Sequence, residues 1–268
     1  MFLAEPGRTA YDLNFSLFGF PVRVHPAFLI LPLLIGSGLL QSANTNAGVM
    51  LLLLVVIFFV SILVHELGHA FAFRYYGQTS RIVIYWMGGL AIPDQGGSVW
   101  SSSRRRSIGA NQQIVISLAG PVFGFILAGL IIGLIFSIGG EIAYFQNGLL
   151  PVLLVNLEET AFAESAQRST MEAVLNVSLF ANFFINVLNL APVFPLDGGQ
   201  VARQLFLRFD AYNGLRYSMI FSMVAAILIA VLNFQHDRFI ALFFGFMAWS
   251  NFNTLQQMNG GVGGGRSW

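Results

Sequence analysis

Four stretches of the chain stay apolar for long enough to cross a bilayer: Ala47 to Phe73, Ile114 to Ile138, Met171 to Leu190 and Tyr217 to Phe234. Each comes near the roughly 20 residues that a spanning helix needs. Two shorter runs, Ala27 to Leu40 with Pro32 inside it and Phe239 to Phe252, reach that length only with their flanks. Together they predict six spans. Gly148 to Asn156 is also apolar, but it is too short to cross and holds Pro151, so it reads as a buried or interfacial loop piece. Between the second and third spans the pattern changes. Arg81-Ile82-Val83-Ile84-Tyr85-Trp86 is β-branched and aromatic, Gly88-Gly89 offers a turn, and Leu90-Ala91-Ile92 follows before Pro93, which predicts a β-hairpin.

Composition agrees with a lipid solvent. Hydrophobic residues make up 56% of the chain and charged ones 9%, against about 25% charged in ordinary globular domains. All 13 basic residues are arginine and the net charge is only +1, which argues against a nucleic-acid partner. With six spans, Arg168 and Arg238 fall on one side of the membrane and every other arginine on the opposite side. The positive-inside tendency then puts both termini in the cytoplasm, and the loop with Glu141, Glu158, Glu159 and Glu164 outside. Arg104-Arg105-Arg106 reads as part of that topological signal. The expected class is an all-α polytopic membrane protein of a prokaryotic cell membrane, with about six transmembrane helices and a small cytoplasmic-side β-hairpin or sheet at the membrane interface. No basic n-region leads into a cleavage site, so no removable signal peptide is expected. Gly260 to Gly265 reads as a flexible tail. Cysteine is absent, so a metal here must be held by histidine and carboxylate.

His65-Glu66-Leu67-Gly68-His69 breaks the most apolar of the runs. Ionisable groups within a lipid-spanning helix are costly and mark sites that bind, pair or line a cavity. Positions i and i+4 share a helix face, so His65 and His69 can reach one cation while Glu66 stands close by without being a ligand. If the helix ends near Gly77, the histidines lie about 12 and 18 Å from that end, within the membrane and nearer the cytoplasmic side. A catalytic zinc usually takes three protein ligands. Asp197 is the candidate for the third, because Pro192 and Pro195 break the chain before it, and broken backbone at membrane depth lines cavities. The other reading of Asp197 is a turn residue at the interface.

These two elements resemble the site-2 protease family of intramembrane metalloproteases, peptidase family M50. The likeness rests on His65 to His69 and on Asn189-Leu190-Ala191-Pro192-Val193-Phe194-Pro195-Leu196-Asp197-Gly198-Gly199. They resemble the family's HExxH and its Asn-x-x-Pro-x-x-Pro-Leu-Asp-Gly signature, in the family's order. Gly19 to Pro26 and Ala119-Gly120-Pro121 are supporting matches. The resemblance implies one zinc per chain on His65, His69 and Asp197, with Glu66 as the base that assists attack of zinc-activated water on a peptide bond. It implies that Asn189 helps bind the substrate backbone or oxyanion, and that substrates are transmembrane segments of other membrane proteins. Where the family often carries an asparagine three residues after the Gly-Pro, this chain has Gly124. No PDZ or CBS domain is expected. The expected organisation is one membrane-embedded metalloprotease domain over 1–268, with a core of about 19–208, added spans over about 214–256 and a Gly-rich tail at 259–268.

From residue pattern alone the hairpin is a structural flap. A substrate that must unwind for cleavage raises its other role, an edge at Val83 and Ile84 that pairs with an extended peptide. Asn182 and Asn186 are expected to hydrogen-bond between helices, and Asn182 could also line the substrate cavity. Gly120, Gly124, Gly129 and Gly133 suggest close helix packing. His25 is expected to make a local polar contact and His236 to be solvated. The alternative function is a non-catalytic zinc-binding membrane scaffold or metal transporter, which would have no need of Glu66.

Overall fold

The computed structural model describes residues 5–33, 47–86, 88–93, 108–147, 150–157 and 165–260. Each long apolar run forms a helix. α1 (Ala47–Tyr75) and α2 (Ala110–Ser137) pack against each other. α3 (Ser165–Leu179) passes through a π-helical turn at Phe180–Phe184 into the short α4 (Ile185–Asn189). Irregular backbone leads to α5 (Asp197–Phe209), and the paired α6 (Gly214–Asn233) and α7 (Arg238–Gly260) follow.

Among the described residues four helical stretches are long and apolar enough to cross a membrane: α1, α2, Arg168–Asn189 and α6. The expected last span falls in α7, which is not one of the four. The expected first span is described only to residue 33, where a 3-10 turn at Pro26–Leu29 gives way to helix. Arg104 to Arg106, Glu158, Glu159, Glu164 and the chain from 261 onward lie outside the described residues.

α1 is apolar all round yet two-sided. Leu54, Phe58, Ser61, His65 and His69 follow one another at steps of three and four on a buried face, while Leu52, Val56 and Val60 are exposed. That period keeps one stripe against protein and leaves the rest for lipid.

Alongside the lower half of α1 lies a sheet larger than the expected hairpin. Its strands β1 (Leu13–Leu17), β2 (Phe20–Val24), β3 (Ser80–Tyr85) and β4 (Gly88–Pro93) stand in that order. Two antiparallel hairpins are joined by a parallel contact, Val22 opposite Ile82 and Val24 opposite Ile84. Phe15 and Phe28 meet Phe59, with ring centroids 6.4 and 6.2 Å away, and Phe18 and Phe20 meet Phe71. The Arg74 guanidinium donates to the Phe18 carbonyl. Phe59 to Arg74 covers about 22 Å of helix, so the sheet runs along α1 instead of merely touching its end. The buried Arg23 ties it together through Glu5, 2.9 Å away, and Asp12, 3.1 Å away, and Glu5 also pairs with Arg81.

This sheet corrects one expectation. Val83 and Ile84 are 0% exposed and have strands on both sides, so they cannot offer an edge. On that side of the sheet the free edge belongs to β4. A second correction concerns Gly148 to Asn156, which is not a loop piece. Its residues from Leu150 form β6 (Leu150–Asn156), antiparallel to β5 (Glu141–Asn147). Val155 and Leu157 pack there against Ile135 of α2 and Leu175 and Leu179 of α3, at the opposite end of the helices from the first sheet.

Candidate metal centre

His65 and His69 stand one turn apart on α1. Their rings meet edge to face with centroids 4.9 Å apart, and their Nε2 atoms are 3.1 Å apart. Asp197, the first residue of α5, closes the group. Its Oδ2 lies 3.1 Å from His65 Nε2 and its Oδ1 3.4 Å from His69 Nε2.

The far ring nitrogens decide what the near ones can do. His69 Nδ1 is 2.7 Å from the carbonyl oxygen of Ile116. A carbonyl only accepts, so Nδ1 carries the hydrogen. His65 Nδ1 is 2.7 Å from Asn186 Oδ1, and Asn186 Nδ2 donates to the Asn182 carbonyl, which keeps the amide oxygen turned toward the ring. A neutral imidazole with its hydrogen on Nδ1 presents a lone pair at Nε2. Two lone pairs and a carboxylate therefore face one another with no hydrogen to share, an arrangement that a cation satisfies. Ligand atoms about 2.0 to 2.1 Å from a tetrahedral zinc are separated by about 3.4 Å. The separations of 3.1 to 3.4 Å here fit that ion.

Glu66 is buried beside the cluster, and ligand atoms of His65, Glu66 and His69 all lie within 4.8 Å of one another. Its carboxylate accepts the Ala91 backbone N–H of β4. The same strand passes so close at Gly89 that a Cβ there would overlap the carboxylate. Tyr85, at the end of β3, is buried near Glu66. Burial, and then the Glu66 charge, push its hydroxyl above the usual range, which keeps it a donor.

Two further elements fix the walls. α2 touches α1 backbone to backbone, since a Cβ on Gly68 would overlap the Ala119 carbonyl and one on Gly120 would come 2.7 Å from His65 Nε2 and overlap the His69 ring. The segment before Asp197 is gripped from the other side. Phe194 donates its N–H to Ser222 Oγ of α6 at 3.1 Å, and its carbonyl accepts from Asn251 Nδ2 of α7 at 2.6 Å. Gly199 packs against the backbone of Val193 and Phe194.

His65, Glu66, His69 and Asp197 thus come together across the α1 and α5 contact. Asn189 ends α4 half-buried, and its side chain makes no hydrogen bond to any described residue. Asn182 is buried, and its amide nitrogen donates to Ser61 Oγ of α1 and to the Ser178 carbonyl, as its interhelical reading requires. His25 caps the 3-10 turn by accepting the Ala27 N–H, and His236 is exposed. Of the four small residues, Gly120 and Gly124 sit in tight contacts, whereas a Cβ at Gly129 or Gly133 would meet nothing within 4 Å among the described residues. The Ile116 carbonyl and Gly120 were missed as parts of the site. No local pattern marks a backbone oxygen as a histidine partner; the Gly120-Pro121 pair was the available signal for the close approach.

Comparisons with known proteins bear on this geometry. Residues 53–232 match the model of peptidase family M50. A zinc metalloprotease of Methanocaldococcus jannaschii is 25% identical over 200 residues, which are 74% of this chain and 46% of that protein. A relative in Synechocystis sp. is 27% identical over 199 residues, 71% of this chain and 42% of the relative. The chain thus spans less than half the length of these curated relatives. Among solved structures, the site-2 protease from Methanocaldococcus jannaschii superposes with a TM-score of 0.55 at 21% identity, covering 91% of this chain and 95% of that one. That likeness is one of fold.

Proposed function

The chain belongs to peptidase family M50, and on that premise we propose that it is an intramembrane zinc endopeptidase of the site-2 protease type. Its substrates would be peptide bonds in or beside transmembrane segments of other membrane proteins. The observation that carries this reading is the convergence of two imidazole lone pairs and a carboxylate beside Glu66, on the buried face of a helix long and apolar enough to span a bilayer. His65, His69 and Asp197 would hold one zinc per chain. Bound there, zinc supplies a Lewis acid and brings the pKa of water toward about 7.

The chain's own residues do the rest. Glu66 takes a proton from the attacking water and returns it to the leaving amine, while the Ala91 N–H holds its carboxylate in place. The Asn189 carboxamide, which makes no hydrogen bond among the described residues, would be a donor for the substrate carbonyl. A helical substrate hides its carbonyls in i to i−4 hydrogen bonds and must unwind to be cut. The outer strand β4, which passes beside Glu66, is the edge on which the unwound strand would pair. That assignment replaces Val83 and Ile84. With six spans, the arginine asymmetry supports both termini and the metal centre on the cytoplasmic side, and relatives in an archaeon and a cyanobacterium support a prokaryotic cell membrane.

The test uses the purified full chain with transmembrane reporter peptides and a measurement of bound metal. Glu66→Gln should retain zinc and lose about 10²- to 10⁴-fold in turnover. Undiminished cleavage by Glu66→Gln would refute the base, and absence of zinc from the wild type would refute the centre. Zinc without cleavage in the wild type would favour the scaffold or transporter.

A further inference from the structure

The ring of His65 is held from behind by a contact between α4 and α1. The carboxamide of Asn186 is buried, with its Oδ1 2.7 Å from His65 Nδ1 and its Nδ2 2.6 Å from the Asn182 carbonyl. One turn earlier the two helical stretches repeat the contact, as Asn182 Nδ2 donates to Ser61 Oγ at 2.8 Å. Both pairs are 121 positions apart in sequence, so they are successive rungs of a single register. Sliding or rolling of one helix on the other would break both. The first rung, Asn182, sits inside the π-helical turn Phe180–Phe184, the kind of insertion that re-aims side chains and gathers at functional sites.

The third helix supplies the space. Gly124 of α2 faces Asn186 so closely that a Cβ there would overlap Cγ, Oδ1 and Nδ2 of the carboxamide. A side chain at 124 and the carboxamide of Asn186 therefore exclude each other. At position 124 the family resemblance leads one to expect asparagine. Glycine stands there instead, and a carboxamide from α4 fills the adjoining volume.

We propose that Asn186 is a positioning residue for the metal centre and that Gly124 is its necessary counterpart. The inference rests on the reading of His65 as a metal ligand. By accepting the Nδ1 hydrogen, Asn186 fixes the tautomer that leaves the Nε2 lone pair facing Asp197 and His69, and it holds the ring against rotation. It touches neither metal nor substrate.

The experiment follows two readouts on the full chain: zinc affinity by chelator competition, and the His65 tautomer by nitrogen NMR of the zinc-free protein. Asn186→Leu should weaken zinc about 10- to 100-fold and turn a pure Nδ1–H imidazole into a mixture of tautomers. Asn186→Asp keeps an acceptor and should keep the tautomer. Gly124→Ala, which leaves Asn186 in the sequence but takes its space, should reproduce Asn186→Leu. The double variant Asn186→Ala/Gly124→Asn, which supplies a carboxamide from α2, should recover part of the affinity lost in Asn186→Ala. Wild-type affinity and an unchanged tautomer in Asn186→Leu would overturn the proposal, and so would an unaffected Gly124→Ala. Should Asn186→Leu fail to fold, Gly124→Ala against Asn186→Asp decides. Should the wild type bind no zinc, the proposed function fails while the tautomer still settles the role of Asn186.

Discussion

α1 delivers His65 and His69 from an unbroken helix of 29 residues, whereas Asp197 arrives after irregular backbone that runs from Leu190 to Leu196. The helix needs little help, because a four-residue step alone sets both rings on one face. The irregular segment has no such internal ruler. Its shape is imposed by Ser222 of α6 and Asn251 of α7, which take the N–H and the carbonyl of the same residue, Phe194. The contrast teaches that α6 and α7, which by sequence look like additions to a core ending near residue 208, hold the loop that carries Asp197, the proposed third ligand. Half of the site is positioned by periodicity and half by remote hydrogen bonds.

Substitutions that attack each half separately should have different signatures. The largest effect belongs to Gly120→Ala, whose Cβ would intrude on both imidazoles. Helix α2 cannot retreat easily, because Gly68 meets the Ala119 carbonyl in the same contact. Zinc should be lost from the purified protein, and activity should drop by at least about 100-fold, as misplacement by an ångström commonly does; metal analysis checks it. Asn251→Leu attacks the other half and strips the Phe194 carbonyl of its donor. An orphaned buried group of that kind costs about 1 to 3 kcal/mol, so kcat/KM should fall about tenfold while the His65 and His69 tautomers stay as they are. A change in those tautomers would show that the two halves are not independent.

The mildest perturbation is acid. The Arg81 guanidinium, hydrogen-bonded to Glu5, holds that carboxyl below its usual range against the opposing effect of burial. A carboxylate with a depressed folded-state pKa contributes stability that is complete above its unfolded-state value and fades as pH falls through the folded one. Below about pH 4, therefore, β2 and β3 should exchange their amide hydrogens faster, by an amount worth less than about 1 kcal/mol, with the Phe194 clamp unaffected. Glu5→Gln should reduce that acid sensitivity, leaving the part that comes from Asp12 on Arg23.

The helix-borne half was readable in advance because its signals are local. Apolar runs of spanning length located α1, α2, Arg168–Asn189 and α6, and the spacing of His65 and His69 set their common face. Asp197 was reachable because Pro192 and Pro195 forbid a helix next to two glycines. What escaped is non-local. The pairing of β2 with β3 joins segments on either side of α1, and no periodicity says that Val83 and Ile84 will lie inside a sheet instead of at its rim. The strand β6 was hidden by Pro151, which sits opposite Gln146. Proline is tolerated there because a two-stranded sheet has only edges.

The parallel contact between Val22 and Ile82 also constrains how the molecule can be made. Parallel strands need a long crossover, and here the crossover contains the histidine helix itself. During synthesis the β1–β2 hairpin emerges first and must wait, with one side unpaired, until α1 is seated and β3 emerges beside it. Without β4 alongside, Glu66 has no Ala91 N–H to aim it. The sheet thus makes the aim of Glu66 depend on chain from both sides of α1.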